Sequence, residues 1–444
     1  MRLTRILAGL LGIVLLAVVV FAILAWRPAI APLDSPQTFD RQLIARGAAL
    51  ASIGNCSACH TASGGAAYAG GGALQTPFGL VYATNITPDP EYGIGQWSEE
   101  AFRRAMHQGV RRDGRHLYPA FPYDHFTKLS DDDVRAIYAF LMTRAPVHAA
   151  NQRNALSFPF NIRPLVAGWK LLFFKEGRFE ADEGRSAELN RGAYLVEALA
   201  HCGACHTPRN ALGAVKRDQA FSGGEAEGWH APALNADSTT PVPWTEGQLQ
   251  TYLQRGFVFP HGVAAGPMQT VTNSLAGAPE SDVKAIATYV ENVLVPATAG
   301  RRQHAEELLA RLRQEQQEGA TNPSTGTIGA GRGAANDDDR SLYVGACAIC
   351  HEPTGQRFSA HGISLSLSKV VALPDPRNLI HVILGGIEPA AGAPFASMPG
   401  FAGALTDEQV VRLAEFLRRT YSDQPPWRDV AAAVRKIRRQ AGNS

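Results

Sequence analysis

One N-terminal membrane helix followed by three consecutive helical domains is the architecture this sequence predicts. Three observations carry the prediction. The chain begins with a long uncharged run, it uses the motif C-x-x-C-H three times, and the motifs recur at nearly constant spacing. Cys56 and Cys202 are 146 positions apart, and Cys202 and Cys347 are 145 apart. A fixed period of this kind marks repeated structural units.

The N-terminal run is ILAGLLGIVLLAVVVFAILAW, 21 residues from Ile6 to Trp26 without a charge. About 20 apolar residues suffice to cross a bilayer as one helix, whereas a cleaved leader has a shorter apolar region of about 7–15. An A-x-A pattern at Ala29–Ala31 is followed by Pro32, which should hinder cleavage. The expectation is a retained anchor spanning residues 1–33. Arg2 and Arg5 precede the helix, which predicts a cytoplasmic N-terminus and a periplasmic body at the inner membrane. No later segment is long and apolar enough to span. Apolar residues make up 45% and charged residues 18% of the 444, which reads as globular. The formal net charge is +2, so composition gives no case for nucleic-acid binding.

All six cysteines fall in the motifs CSACH, CGACH and CAICH: Cys56 and Cys59, Cys202 and Cys205, Cys347 and Cys350. C-x-x-C-H is the attachment signature of c-type haem. The two thiols form thioethers with the vinyl groups, and the adjoining His60, His206 or His351 lies beneath the iron. A lone C-x-x-C could be redox-active or bind zinc. Three copies that consume every cysteine predict three covalent haems c and leave no thiols for a disulfide framework. Export agrees, because attachment of this kind is periplasmic in bacteria.

The motifs divide the chain into a first domain at 38–146, an interdomain segment at 147–187, a second domain at 188–297, a helix and flexible linker at 298–338, a third domain at 339–424 and a tail at 425–444. RGAALASIGNCSACH from Arg46 and RGAYLVEALAHCGACH from Arg191 share a lead-in, which predicts a short helix before each motif. Each domain should close with a helix, N-capped at Ser130, Ser281 and Thr406. Tyr138, Tyr289 and Phe416 fall at comparable places on these helices and predict packing against the lead-in helix.

A haem used for electron transfer usually takes a second protein ligand, and Met raises the potential relative to His. Met268 lies 62 residues after His206 and Met398 lies 47 after His351, both in Gly/Pro-containing loops, and both are predicted ligands. Phe121, 61 residues after His60, holds the corresponding place in the first domain and cannot bind iron. His125, in YDHF, is the predicted replacement. His116 is the second choice, Met106 and His107 are weaker, and an open coordination site capped by Phe121 is the remaining possibility.

With these residues identified, the chain resembles the membrane-anchored three-haem cytochrome c subunits of bacterial periplasmic dehydrogenases. CSACH, TNITPD (84–89), GIGQWS (93–98), RGAYLVEALAHCGACHTPRN (191–210) and SMPGF (397–401) carry the resemblance, which extends from about residue 38 to 425. It implies three class I cytochrome c folds, all-α, in series. It implies an electron-transfer subunit rather than a catalyst, receiving electrons from a periplasmic dehydrogenase catalytic subunit. Ubiquinone or a terminal oxidase would be the acceptor. Phe121 departs from the family, which often has Met in that loop. The PAFPYDHF variant and the long linker look more like the relays of molybdenum hydroxylases than those of quinoprotein alcohol or flavoprotein sugar-acid dehydrogenases. The competing reading is a haem enzyme or gas binder that uses an open first haem.

Trp97, Asn85 and Arg209 could lie near haem edges or propionates, with packing or solvation as the alternative. The LVAGWKLLFF run at 165–174 is expected to pack on the haem domains, with lipid or quinone contact as the alternative. His148, His201, His230, His261, His304, His361 and His381 have no ligand context and read as structural or exposed, and Asp337–Asp339 read as a solvated turn or an N-cap cluster.

Overall fold

The computed structural model describes residues 2–33, 35, 37–321, 337–351, 364–389 and 397–441. Most of the expected flexible linker (322–336) and His361 lie outside the described residues. The chain forms two compact units. One comprises Met1–Arg185, Tyr194–Ala204 and Asn210–Ala214, and the other comprises Ser186–Ala193, Cys205–Arg209 and Val215–Ser444.

The first unit begins with helix α1 (Arg2–Ala25), whose apolar side chains are exposed along its length. Helix α2 (Arg41–Ile53) starts at Asp40, whose carboxylate accepts from the Gln42 and Leu43 amides. A single turn, α3 (Cys56–His60), carries the first motif. An antiparallel hairpin follows, β1 (Ala73–Thr76) and β2 (Gly79–Tyr82). Helices α4 (Glu99–Gln108), α5 (Tyr123–Phe126) and α6 (Asp131–Met142) complete the helical body. Strand β3 (Ala155–Leu156) then joins the hairpin beside β2. The expected cap at Ser130 is present, accepting from the Asp133 amide. α2 crosses α6 at Gly47, where a Cβ would overlap the Ala136 carbonyl. Glycine there lets two helix backbones approach directly. The crossing is fixed by an ion pair from Arg46 to the buried Asp133 at 2.6 Å. Tyr138 is fully buried beneath it and donates to the Trp97 carbonyl at 2.6 Å.

Helix α7 (Leu165–Phe173) lies in the interdomain segment. Val166 and Ala167 are buried, as expected, but Leu171 and Leu172 are 61% and 73% exposed. Packing thus accounts for only one face of this run.

The plan recurs around the second motif. Helix α8 (Ala187–Tyr194) leads into a π-helical turn (Leu195–Leu199), which belongs to the first unit, and then α9 (Gly203–His206). A hairpin follows, β4 (Gly224–Ala226) and β5 (Trp229–Ala231), then α10 (Glu246–Arg255). A second small hairpin, β6 (Phe257–Val258) and β7 (Gly262–Val263), precedes α11 (Pro267–Leu275) and α12 (Glu280–Tyr289). Gly192 meets α12 as Gly47 meets α6, since a Cβ there would overlap the Ala285 carbonyl. Arg191 pairs with Asp282 through two contacts, 2.8 and 3.0 Å. The cap of α12 is Pro279 rather than Ser281, because the helix begins one residue before Ser281, at Glu280.

Helix α13 (Ala299–Thr321) is the expected connecting helix. The third motif follows on α14 (Asp337–Ala346) and α15 (Ala348–His351). Helices α16 (Lys369–Ala372), α17 (Arg377–Gly385), α18 (Asp407–Tyr421) and α19 (Val430–Ala441) complete the unit. Thr406 caps α18 in a reciprocal box with Gln409, as expected. Two expectations change here. The tail contributes Val430, Val434 and Ile437 to the same core as Tyr343 and Phe416. Asp339, read as solvated, is buried because it pairs with Arg412 at 2.7 Å and Arg419 at 3.3 Å. The fold is largely helical, and the expectation of an all-α chain missed seven short strands among the described residues. They are two to four residues long, at or below the shortest length at which alternation can be read from sequence.

Candidate haem sites

Each motif is preceded by a helix that must stop so that its thiols can turn outward. In the first unit, α2 ends at Gly54 and Asn55 takes a left-handed conformation, φ 52°. His201 does the same before Cys202, φ 40°. The lead-in and the motif are therefore separate helices rather than one continuous delivery helix.

The His of the first motif is held by one bond. His60 Nδ1 donates to the Thr84 carbonyl at 2.6 Å, and burial lowers its pKa. A neutral ring with Nδ1–H engaged presents Nε2 as the free lone pair, the form a metal requires. The Gly70 amide donates to the His60 carbonyl at 2.8 Å. A Cβ on Gly72 would overlap the Cys59 carbonyl, so the following loop lies flat against the motif. Burial and the neighbouring Cys59 push the Cys56 thiol up to about 12.

The second motif reproduces this residue by residue. His206 Nδ1 donates to the Pro232 carbonyl at 2.7 Å, and burial takes its pKa down to about 4. The Gly223 amide donates to the His206 carbonyl at 3.0 Å, and a Cβ on Gly224 would overlap the Cys205 carbonyl. Thr61 and Thr207 each accept an amide at 3.1 Å, from Tyr68 and Phe221. For the third motif, Cys347 is buried and its thiol is pushed up to about 11, while residues 352–363 lie outside the described residues.

These donor sets fit haem c. Paired unbridged cysteines, a neutral half-buried imidazole with its Nδ1 engaged, and a glycine-lined approach suit covalent attachment and axial ligation. Bound haem supplies a one-electron iron couple.

The predicted second ligands are placed as follows. Met268 stands at the second position of α11 rather than in a loop, half-buried, after Gly266 at φ 56°. Pro267 at the first helical position explains the start, because its missing N–H costs nothing there. Met398 is fixed through its backbone, which exchanges two hydrogen bonds with Ile387 at 2.8 and 3.0 Å. In the first unit, His125 lies on α5 with Nδ1 bonded to the Glu197 carbonyl at 3.0 Å. His60 and His206 are held by the same kind of bond. His116 is different. Its Nε2 bonds the Ala25 carbonyl at 2.8 Å and its Nδ1 meets Lys170 Nζ at 3.1 Å, so neither nitrogen is left for iron. Met106 and His107 are buried on α4 at 5% and 2% exposure and serve its core face. Phe121 packs on Phe126, ring centroids 5.3 Å apart.

Asn85 is spent on structure. Its amide donates to the Val147 and Ala149 carbonyls, and its oxygen accepts from Thr87. Arg209 lies near enough to Cys205 to pull the thiol down against the dominant upward effect of burial. Sequence reasoning missed the Thr84 and Pro232 carbonyls, although TNITPD marks the first. It also missed the contacts of His201, which is half-buried, bonds the Gly54 backbone and packs 5.4 Å from the Phe126 ring. Within the first unit, the approach to the second motif therefore touches the approach to the first. The stack of His261 on Trp244, centroids 3.5 Å apart, was also missed. One tandem signal could have found it: Trp97-Ser98 and Trp244-Thr245 both stand at a helix start.

The family model for cytochrome c matches residues 44–145, and that for cbb3-type cytochrome c oxidase subunit III matches residues 334–417. The fructose dehydrogenase cytochrome subunit of Gluconobacter japonicus is 36% identical over 402 residues, covering 86% of this chain and 80% of that protein. This chain belongs to the cytochrome c subunits of dehydrogenases. The cytochrome c subunit of a quinone-type alcohol dehydrogenase from Gluconobacter oxydans is 35% identical, covering 90% of this cytochrome and 83% of its own length. A nicotinate dehydrogenase subunit of Pseudomonas putida is 43% identical over 95% of this cytochrome. The cytochrome spans only 34%, about a third, of that relative's length. Membership implies covalently bound haem c and an electron-relay role beside a catalytic subunit.

Proposed function

We propose that this cytochrome carries three haems c in three successive domains and relays electrons from a periplasmic dehydrogenase subunit to ubiquinone or a terminal oxidase. The observation that carries the reading is the repetition of one holding device, Nδ1 on a backbone carbonyl, at His60 and His206. His351 takes the same place in the third motif, with Met268 and Met398 as second ligands of the second and third haems. His125 completes the first haem, supported by its place on α5 and by its bond to the Glu197 carbonyl, the same kind of bond that holds His60 and His206. Replacing Cys347 and Cys350 by Ala should reduce haem from three to two per chain by pyridine haemochrome assay. A count that stays at three rules out the third site.

The catalytic partner is of the molybdenum hydroxylase type, acting on an N-heterocycle. Support comes from the nicotinate dehydrogenase relative, at 43% identity against 35–36% for the fructose and alcohol relatives. Purification from native membranes in mild detergent should yield a co-purifying subunit that contains molybdenum. Pyrroloquinoline quinone or flavin in its place would overturn the partner and leave the relay standing.

α1 is retained as a membrane anchor, with the remainder periplasmic. Its core, Arg5–Ile23, is long and apolar enough to cross. The exposed apolar side chains of α7 lie beside it, because Phe21 of α1 reaches Gly168 of α7. The two together support attachment at a bilayer surface.

A further inference from the structure

Among the described residues, the second unit contains a cation without a counter-charge. Lys369, the first residue of α16, extends its ammonium over the rings of Trp244 and Tyr252, 4.8 and 5.0 Å from their centroids. Trp244 stands just before the N-cap of α10, and its other neighbour is the stacked His261, which bonds Gln248. No hydrogen bond or ion pair joins Lys369 among the described residues. Burial brings its pKa down to about 8, so at neutral pH it is charged. Its charge reaches the His206 ring and lowers the pKa of that imidazole. Leu367, two residues earlier, is buried in a cluster with Val242, Ala305 and Leu308, which fixes the segment that bears Lys369.

Lys369 is half-buried, and a partly desolvated cation without a carboxylate is incompletely compensated, so that an anion would complete it. Aromatic faces compensate only in part. Haem c is an anionic ligand through its propionates, and His206 is the residue predicted to bind its iron.

We infer that Lys369 is the cationic partner of a propionate of the second haem, supplied by the third haem domain across the contact that Leu367 makes. This rests on the proposed second haem. The third domain thereby sets the potential of the haem before it. A fixed positive charge disfavours the more positive oxidised iron and raises the midpoint potential.

The test is spectroelectrochemical titration of the full-length holoprotein in detergent. The wave of the second haem is assigned as the one displaced by Met268→His. Lys369→Gln and Lys369→Met should each shift the oxidation equilibrium of that haem at least tenfold toward the oxidised form, about 59 mV for one electron. Lys369→Arg should keep the wild-type value. An unshifted second wave in both neutral variants overturns the inference. So does an equal shift of all three waves, which marks a general structural effect. Loss of the second haem from the wild-type protein, counted by haemochrome assay and mapped by mass spectrometry, would sink the three-haem reading instead.

Discussion

At the scale of the residue, one atom decides whether each histidine is available. His60 and His206 give Nδ1 to a carbonyl and keep Nε2, while His116 gives both nitrogens away. His125→Ala should therefore convert one haem to a five-coordinate, high-spin form that binds carbon monoxide when reduced, whereas His116→Gln should leave all spectra low-spin. An unchanged low-spin spectrum in His125→Ala would remove that residue as a ligand. His107 is buried on the core face of α4. Burial takes its pKa from 6.5 down to about 4. Between those values the unfolded chain binds a proton that the folded chain resists, so stability falls as pH drops from 6.5 toward 4. Denaturant titrations of His107→Gln should show a flatter dependence in that window. The motif histidines are legible in the sequence because covalent attachment demands a fixed spacing. The carbonyls that orient them are not, because any residue supplies a carbonyl and only the fold selects Thr84 and Pro232.

At the scale of the element, the unit of construction is a lead-in helix crossed against a closing helix. Glycine makes the crossing possible. Gly192→Ala places a methyl group against the Ala285 carbonyl, and neither backbone can move aside. Overpacking of this kind costs about 1–3 kcal/mol, which urea unfolding would measure as a lower midpoint with unchanged slope. The shared R-G of the two lead-ins makes this crossing visible in the sequence, and the aromatic residues on the closing helices mark its packing. Two features escape. The cap of α12 moves to Pro279 because the acidic Glu280 already begins the helix. The C-terminal helix reads as a tail because its apolar positions, Val430, Val434 and Ile437, are sparse among charges.

At the scale of the whole molecule, membrane attachment and relay are one design question, since a quinone acceptor is reached only at the bilayer. Leu172 on α7 is 73% exposed, and α7 touches the proposed anchor. With the native thiols consumed by the three proposed haems, Leu172→Cys offers a single labelling site. In lipid nanodiscs a nitroxide there should be relaxed by oxygen more than by a water-soluble nickel chelate. The reverse order would place α7 in water. A label at Ile13→Cys on α1 reports separately on the anchor.

The ion pairs at the helix crossings have one more consequence. In the first two repeats Arg46 and Arg191 lie on the lead-in helix and their acids, Asp133 and Asp282, on the closing helix. In the third repeat the polarity is reversed, with Asp339 on α14 and Arg412 on α18. Tandem copies of one fold on one chain risk exchanging helices while they assemble. An exchange between the third repeat and either of the others would set Asp339 against an aspartate or Arg412 against an arginine. In the proposed three-domain arrangement, the reversed pair disfavours such an exchange and favours the partner from the same repeat.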